Sequence, residues 1–378
     1  MDTGKRVVFL VTEDWYFYSH RMPIARGLIR SGCEVVLLTR VNQHKDRIEQ
    51  EGINVIPLGL KRESKHIVWE IKAVIEIALL YRKLKPHLVH HVAVKPILYG
   101  SIAAILTGVP KVVNAFAGLG FIFSEKKRRI SRLIRWGFIQ AYRSVFISKK
   151  IHAIFQNPED KALFEQLKIV NKKQSTLIRG SGVDPDQYRC IKEPKGTVTI
   201  LFGARMLWDK GVGELIRAAR ILKKEGLIFR VILAGVPDPS NPNSVDTQTL
   251  RKWHDQGIAE WVGFQADMAK LFSQVHIVTL PSYYPEGVSK FLIEAASCGR
   301  PIVTTDTPGC REIVVDNKNG FLVPVKDAEA VAGALSKLIR DPGLRKKMGD
   351  CGRTMVLQSF SDKIVVEKTM AFYRQVWN

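Results

Sequence analysis

The 378 residues exceed what one hydrophobic core usually organises, and an apolar fraction of 46% leaves material for two domains. A balance of 58 Lys/Arg against 36 Asp/Glu, a formal net charge of +22, points to an anionic partner surface. Five cysteines without Cys-x-x-Cys or metal-like spacing, and no apolar run near ~20 residues, exclude a disulfide scaffold, a cysteine metal site and a membrane span. Val7–Val11 follows Gly4-Lys5-Arg6 too briefly to be a signal sequence and reads as the first strand. Ser19-His20-Arg21-Met22-Pro23 opens the first helix, Arg21–Ser31. Strands follow at Val35–Thr39, Val55–Leu58, Leu88–His91, Lys111–Asn114, His152–Phe155 and Ser175–Ile178. Helical periods over Ile67–Leu84, Ile97–Thr107 and Ile130–Ile147 lie between them. That alternation predicts a doubly wound parallel sheet.

Gly180-Ser181-Gly182-Val183-Asp184-Pro185-Asp186, with polar residues on to Gly196, forms the candidate hinge. A second strand series runs through Val198–Phe202, Phe229–Leu233, Trp261–Phe264, Ile277–Leu280, Pro301–Thr304 and Phe321–Val323. Ser361–Trp377 reads as one closing helix. The basic excess is uneven: residues 1–185 carry 31 Lys/Arg and 15 Asp/Glu, residues 186–378 carry 27 and 21. The thiols at 33, 190, 298, 310 and 351 are expected to be reduced and mostly buried, in a cytoplasmic protein.

The most informative stretch is 282–299, Ser-Tyr-Tyr-Pro-Glu-Gly-Val-Ser-Lys-Phe-Leu-Ile-Glu-Ala-Ala-Ser-Cys-Gly. Glu286 and Glu294 stand at most about 12 Å apart along a helix rising ~1.5 Å per residue. That is the span from the ribose to the hexose of a nucleotide-sugar. A helix opening near Gly287 aims unpaired N–H groups and its positive dipole end at a diphosphate between them. An ordinary amphipathic helix with two solvated glutamates has the same spacing, so the neighbouring motifs decide. Arg205 ends a strand and Lys210 precedes Gly211 and a helix. Cations there stabilise a departing diphosphate. Asp184-Pro185-Asp186 spells a divalent-metal pattern, but it follows Gly182 in the hinge, where aspartates cap turns. No metal is expected.

Phe202-Gly203-Ala204-Arg205, Lys210-Gly211, Leu280-Pro281-Ser282, the glutamate pair, residues 300–314 and Asn319-Gly320-Phe321-Leu322-Val323-Pro324 occur in one order. In that order they resemble the donor domain of the retaining GT-B glycosyltransferases with the E-x7-E motif, the family 4 type. The resemblance runs from the first strand to the last helix. It implies an α/β GT-B fold of two facing Rossmann-like doubly wound domains with an interdomain cleft. Residues 1–183 would bind the acceptor and 184–360 the donor, with helix 361–378 packing back on the first domain. Glu286 would hold the transferred sugar, Arg205 and Lys210 the donor phosphates, and Glu294 the ribose. Gly287, Val288 and Ser289 would line the donor at the helix start, and Gly263 with Phe264 would hold the base by main-chain contacts.

In this family the reaction is thought to proceed on one sugar face, the donor phosphate accepting the acceptor's proton. No dedicated base, cofactor or metal is then needed. Two departures matter. Relatives often carry a histidine after the strand ending Val112-Val113-Asn114, whereas Asn114–Gly120 contains none, which puts a histidine-assisted mechanism at that loop in doubt. Pro285 precedes Glu286, and Ser289 stands where many relatives have proline or glycine. Gly118 and Gly120 would permit close backbone approach to a phosphate or sugar. His20, Arg21, His91 and Lys95 are candidate acceptor contacts, although a lone histidine is usually structural.

Arg21-Met22-Pro23, Ala117-Gly118-Leu119-Gly120 and Tyr284…Glu286-Gly287 resemble bacterial enzymes that extend undecaprenyl-diphosphate glycans for O-antigen, capsule or N-glycan assembly. The expected activity is hexosyl transfer, an N-acetylhexosamine such as GalNAc passing from a UDP-sugar to a polyprenyl-diphosphate-linked sugar. The rivals are transfer to a soluble acceptor, a GT-B-like UDP-sugar 2-epimerase, and a nucleic-acid-binding protein. No recognition helix or aromatic-interleaved basic ribbon supports nucleic acid as a partner. Lys126, Lys127, Arg128, Arg129, Arg132 and Arg135 interleave with Ile130, Leu133, Ile134, Trp136, Phe138 and Ile139. A basic helix of that kind lies in an anionic bilayer interface, here the inner face of the cell membrane. The same spacing fits a helix packed on the first sheet.

Overall fold

The computed structural model describes residues 4–59, 67–118, 129–284 and 287–377. The chain divides into two compact units, Met1–Ser181 with Lys363–Asn378, and Gly182–Asp362. In the first unit the strands are β1 (Arg6–Glu13), β2 (Glu34–Arg40), β3 (Asn54–Pro57), β4 (Leu88–Val92), β5 (Val112–Phe116), β6 (Ile151–Phe155) and β7 (Ser175–Leu177). They pair in parallel in the order β3-β2-β1-β4-β5-β6-β7. The helices between them are α1 (Asp14–His20), α2 (Met22–Arg30), α3 (Lys45–Glu49), α4 (Ile67–Leu84), α5 (Val94–Thr107), α6 (Arg129–Phe146) and α7 (Pro158–Gln166).

Central strands such as β1 and β5 are buried on both faces, which is why they read as apolar runs rather than alternating ones. One face packs against α4, α5, α6 and α7 through Ile77, Tyr81, Ala104, Tyr142 and Phe164. The other is covered by α1, α2, α3 and a C-terminal helix through Phe17, Leu28, Ile48, Phe372 and Tyr373. Gly27 lets that C-terminal helix come close, since a Cβ there would lie 2.8 Å from a Val366 methyl.

The second unit holds β8 (Thr199–Gly203), β9 (Arg230–Ala234), β10 (Glu260–Gly263), β11 (Ile277–Leu280), β12 (Ile302–Thr305) and β13 (Gly320–Val323). Their parallel order is β10-β9-β8-β11-β12-β13. Its helices are α8 (Val212–Lys224), α9 (Thr247–Asp255), α10 (Met268–Ser273), α11 (Lys290–Ser297), α12 (Pro308–Arg311), α13 (Ala328–Arg340) and α14 (Pro342–Ser359). The last helix, α15 (Asp362–Trp377), is the one that packs on the first unit. Both sheets are Rossmann-like, with helices and strands alternating along the chain.

Several local expectations change. His20 closes a helix instead of opening one: Asp14–His20 is α1, and Arg21 is both its C-cap and the N-cap of α2. Pro23, which lacks an N–H, suits the first turn of a new helix and not the continuation of an old one. Asn114 does not begin a loop, because β5 continues to Phe116. Its buried side chain is tolerated there because Ser101 and His91 satisfy it. The helix after Gly287 starts at Lys290, with Ser289 as N-cap. Phe138 and Ile139 on α6 pack against the core while Trp136 stays exposed, so these apolar residues do not share one outward face. All five cysteines are free thiols; Cys33, Cys298 and Cys310 are buried, Cys190 and Cys351 exposed. Among the described residues no helix is long and apolar enough to cross a membrane.

Candidate active site

In the second sheet the chain order reverses between β8 and β11, the position at which open α/β sheets bind ligands beyond their strand ends. Arg205 follows β8, and its guanidinium is paired with the Asp238 carboxylate in the segment after β9. Asp238 is itself held: its N–H donates to Ser244 Oγ at 2.9 Å, and Ser240 Oγ donates to its carboxylate at 2.9 Å. Gly235, directly after β9, has φ 136°, and a Cβ would fall 1.9 Å from the Ala204 carbonyl oxygen. Only glycine lets the two strand ends meet there.

Lys210 ends the 3-10 turn Trp208–Lys210 and is buried, its ammonium 5.3 Å from the centre of the Tyr284 ring. Gly211 fastens this turn to the segment after β11: at φ 82°, a Cβ would sit 2.0 Å from the Pro281 carbonyl oxygen. The Tyr283 N–H donates to the Asp209 carbonyl at 3.0 Å, and Ser282 Oγ does so at 3.3 Å. One Asp209 carboxylate oxygen accepts from Asn243 at 3.2 Å, while the other is buried without a hydrogen-bond partner. Thr305 Oγ1 donates to the Ser282 carbonyl, tying β12 to the same place.

α11 is set against β8 by a second close approach, for a Cβ at Gly203 would meet the Phe291 ring at 2.3 Å. One helical turn on, Glu294 is buried, 4.0 Å from the Lys290 ammonium. Burial pushes its carboxyl up to about 7, against the opposing pull of Lys290 and of a hydrogen bond from Tyr188. Gly287 and Val288 are buried, and the Ser289 side chain makes no cap hydrogen bond. Gly263 has φ 68°, and its carbonyl accepts the Gly235 N–H at 2.7 Å, with Phe264 exposed beside it. The Trp261 indole N–H donates to the Gly235 carbonyl at 2.8 Å. Glu286 lies outside the described residues.

Thus Arg205, Lys210, Gly263 and the α11 residues follow strands of one sheet, at its carboxyl ends. The sequence reading missed Asp238, Asp209, Gly235 and Tyr188. A glycine directly after an apolar strand was a usable signal for Gly235. Tyr188 had none, because its role comes from the fold alone. Asp184 Oδ1 accepts the Asp186 N–H at 2.8 Å, the hydrogen bond of an aspartate turn.

The first-unit candidates separate into two kinds. His91 is fully buried, accepting from the Tyr81 hydroxyl at 2.9 Å and donating from Nδ1 to Asn114 Oδ1 at 2.8 Å. Burial depresses its pKa to about 4, so it is a neutral core residue with both nitrogens occupied. Lys95 is bridged to Glu70 at 2.8 Å. His20 stacks on Tyr16 with ring centroids 4.2 Å apart and bonds Ser19 Oγ at 2.6 Å. Arg21 differs: it is buried, and its Nε and Nη2 have no hydrogen-bond partner. It lines a small cavity with His90, Gln156, Gly180 and Thr369. Gly118 has φ 107° just after β5. Gly120, Lys126, Lys127 and Arg128, and the side chains of Arg129 and Arg132, lie outside the described residues; Arg135 on α6 is half-buried.

Two Rossmann-like units, one with cations gathered at its switch point, are the architecture of a GT-B glycosyltransferase. Residues 6–176 match the family Glycosyl transferase 4-like and residues 185–355 the family Glycosyl transferases group 1. The chain belongs to the glycosyltransferases that join these two domains. It is 24% identical to the N,N'-diacetylbacillosaminyl-diphospho-undecaprenol alpha-1,3-N-acetylgalactosaminyltransferase of Campylobacter jejuni, covering 98% of this chain and 99% of that one. It is 25% identical to the capsular polysaccharide biosynthesis glycosyltransferase CapM of Staphylococcus aureus, covering 98% and 97%. The crystal structure of Anabaena HepE in complex with UDP matches with a TM-score of 0.75 at 17% identity, over 98% of this chain and 100% of that one.

Proposed function

We propose that this glycosyltransferase moves an N-acetylhexosamine, GalNAc being the first candidate, from a UDP-sugar to a polyprenyl-diphosphate-linked glycan. The observation that carries the reading is the gathering of Arg205, Lys210 and residues 281–284 at the β8/β11 reversal, with Glu294 on the adjoining α11. The second unit is the donor domain: the two cations receive the diphosphate, Glu294 the ribose, Gly263 and Phe264 the base, and Glu286 the transferred sugar. UDP as the nucleotide is supported by the ligand of the Anabaena structure. A diphospho-undecaprenol acceptor and a role in surface polysaccharide or N-glycan assembly are supported by the names of the full-length relatives.

The first unit is the acceptor domain. Its buried, unpartnered Arg21 suits an anionic group, since an uncompensated buried charge is costly and a phosphate oxygen would satisfy it. The reaction retains anomeric configuration. The bond from sugar C1 to the β-phosphate oxygen breaks, and the acceptor oxygen bonds C1 on the same face. The acceptor proton passes to the departing phosphate, and Arg205 and Lys210 stabilise the charge left on UDP. The enzyme works peripherally at the inner face of the cell membrane, where such an acceptor would be presented.

The test is a panel of UDP-sugars against a short polyprenyl-diphosphate monosaccharide, read by mass spectrometry, with the anomeric centre of the product assigned by NMR. The expected result is acceptor-dependent gain of one N-acetylhexosamine in α-linkage. Sugar consumption that needs no acceptor, or a β-linked product, would reject the reading.

A further inference from the structure

α4 carries apolar residues on two opposite sides, and only one of them faces the core. Ala73, Ile77 and Tyr81 are buried inward, in the layer formed with α5 and α6. Val68, Ile71, Ile75 and Leu79 are 53% to 60% exposed on the opposite side, and Trp69, 58% exposed, lies on a flank of the helix. At 3.6 residues per turn, Val68, Ile71, Ile75 and Leu79 fall within an arc of about 80° and form one continuous stripe. Single exposed aliphatics need no explanation, but a contiguous stripe of them marks an interaction surface. The same layer also exposes Leu106 at the end of α5 and Trp136 on α6.

The fringe of the stripe sets the charge of the partner. Lys72 and Lys83 border it, Arg82 stands at its C-terminal end, and all three are exposed. The Lys72 ammonium lies 4.8 Å from the centre of the Trp69 ring, a cation and an indole presented together. Glu76 is the one exposed acid among the described residues of α4, since Glu70 is bridged to Lys95. A second copy docked through this face would set Lys72, Arg82 and Lys83 against the same cations, with Glu76 alone to offset them. Anionic headgroups complement all three, while the aliphatics and the indole enter the acyl boundary.

We infer that the outward face of α4 is a membrane-docking surface that takes an anionic phospholipid bilayer. It is distinct in sequence from the basic segment 126–135. The choice of a bilayer as partner rests on the proposed lipid-linked acceptor; the stripe and its cations do not. Docking by this face brings the first unit to the surface that holds such an acceptor.

The full chain is sedimented with phosphatidylcholine–phosphatidylglycerol vesicles and with pure phosphatidylcholine vesicles, and sized alone by analytical ultracentrifugation. The expected result is binding that requires phosphatidylglycerol, weakens with salt and shifts tryptophan emission to the blue, the shift being reduced in W69F. The triple variant I71S/I75S/L79S should lose at least tenfold in partition while keeping its circular dichroism and its transfer to a water-soluble acceptor. K72Q/R82Q/K83Q should lose the salt-sensitive part. Unchanged vesicle binding by the I71S/I75S/L79S variant overturns the inference, as does self-association of the wild type that the same variant abolishes. If vesicles are ignored while detergent-dispersed polyprenyl acceptor is still glycosylated, the docking surface fails and the proposed function stands. If vesicles are bound through α4 but no polyprenyl acceptor is glycosylated, docking stands and the acceptor reading fails.

Discussion

The Arg205 guanidinium is paired with the Asp238 carboxylate, so one of the two cations proposed to receive the leaving diphosphate is already held before any donor arrives. The carboxylate comes from the segment after the neighbouring strand and is fixed there by Ser240 and Ser244. It therefore orients the guanidinium while the rest of the fork remains for phosphate oxygens. R205A should lower kcat by roughly a hundredfold, the scale for losing one preorganised charge partner of the leaving group. D238N, which keeps the shape and loses the charge, should cost about tenfold. Steady-state UDP release measures both, and a D238N enzyme with normal kcat would remove the positioning role.

Glu294, as the proposed ribose contact, should couple donor binding to pH. Its folded pKa of about 7 lies above the ordinary 4.5 because burial disfavours the anion. Between those values the folded state keeps a proton that the unfolded chain has lost, so stability falls as pH rises through this window, by about 3 kcal/mol. Ribose hydroxyls donate best to the carboxylate, so UDP should bind more tightly as pH rises through about 7. UDP itself titrates nearby, so E294Q is the reference for calorimetric titrations on both sides of neutrality. Parallel pH curves for E294Q and wild type would contradict the assignment.

The two glutamates should separate kinetically. E294A removes a nucleotide contact and should weaken UDP binding tenfold to a hundredfold, about 1.5–3 kcal/mol for a charged hydrogen bond. On the proposed reading E286A would remove the contact to the reacting sugar, and it should depress kcat more than it alters UDP affinity. Near-normal kinetics in both variants would end this site assignment.

His91 and His90 should make the first unit acid-labile. Burial holds His91 at about 4 and His90 well below 6.5, so both are neutral when folded. Below 6.5 the unfolded chain takes up protons that the folded state refuses. The His91 contribution is present above that value and is lost, by about 3 kcal/mol, as pH falls towards 4. Hydrogen exchange of β4 amides across this range should show protection falling with acid, with a shallower slope in H91Q. An H91Q slope equal to wild type would locate the acid sensitivity elsewhere.

Ala93 joins β4 to α5 at φ 76°, ψ 164°, a region that belongs to glycine. The strain costs roughly 1–3 kcal/mol, and glycine gives back ~0.5–1 kcal/mol in unfolded-state entropy. The methyl is exposed and has little packing to lose. A93G should therefore be about 1 kcal/mol more stable, visible as a rise in Tm. A fall would mean the surroundings reward the alanine side chain.

The strands and their parallel arrangement were legible because Val7–Val11 or Ile277–Leu280, buried on both sides, must be apolar throughout and must alternate with helices. The position of the two cations was legible for a related reason: Arg205 and Lys210 sit a fixed few residues beyond a strand, and backbone geometry carries them to its carboxyl end. Contacts between distant residues were not. Asp238 reaches Arg205 only because β8 and β9 are neighbours, and Tyr188 reaches Glu294 only because the chain before β8 folds onto α11. His91 looked like a ligand beside a strand end, and only packing shows both its nitrogens occupied by Tyr81 and Asn114. α4 marks the boundary most clearly. Its sequence determined a helix, but a helix apolar on two opposite sides has no periodicity to say which of them is covered. Tertiary packing decided that Ile77 and Tyr81 go in and that Ile71, Ile75 and Leu79 stay out, because burial is a property of neighbours and not of the segment.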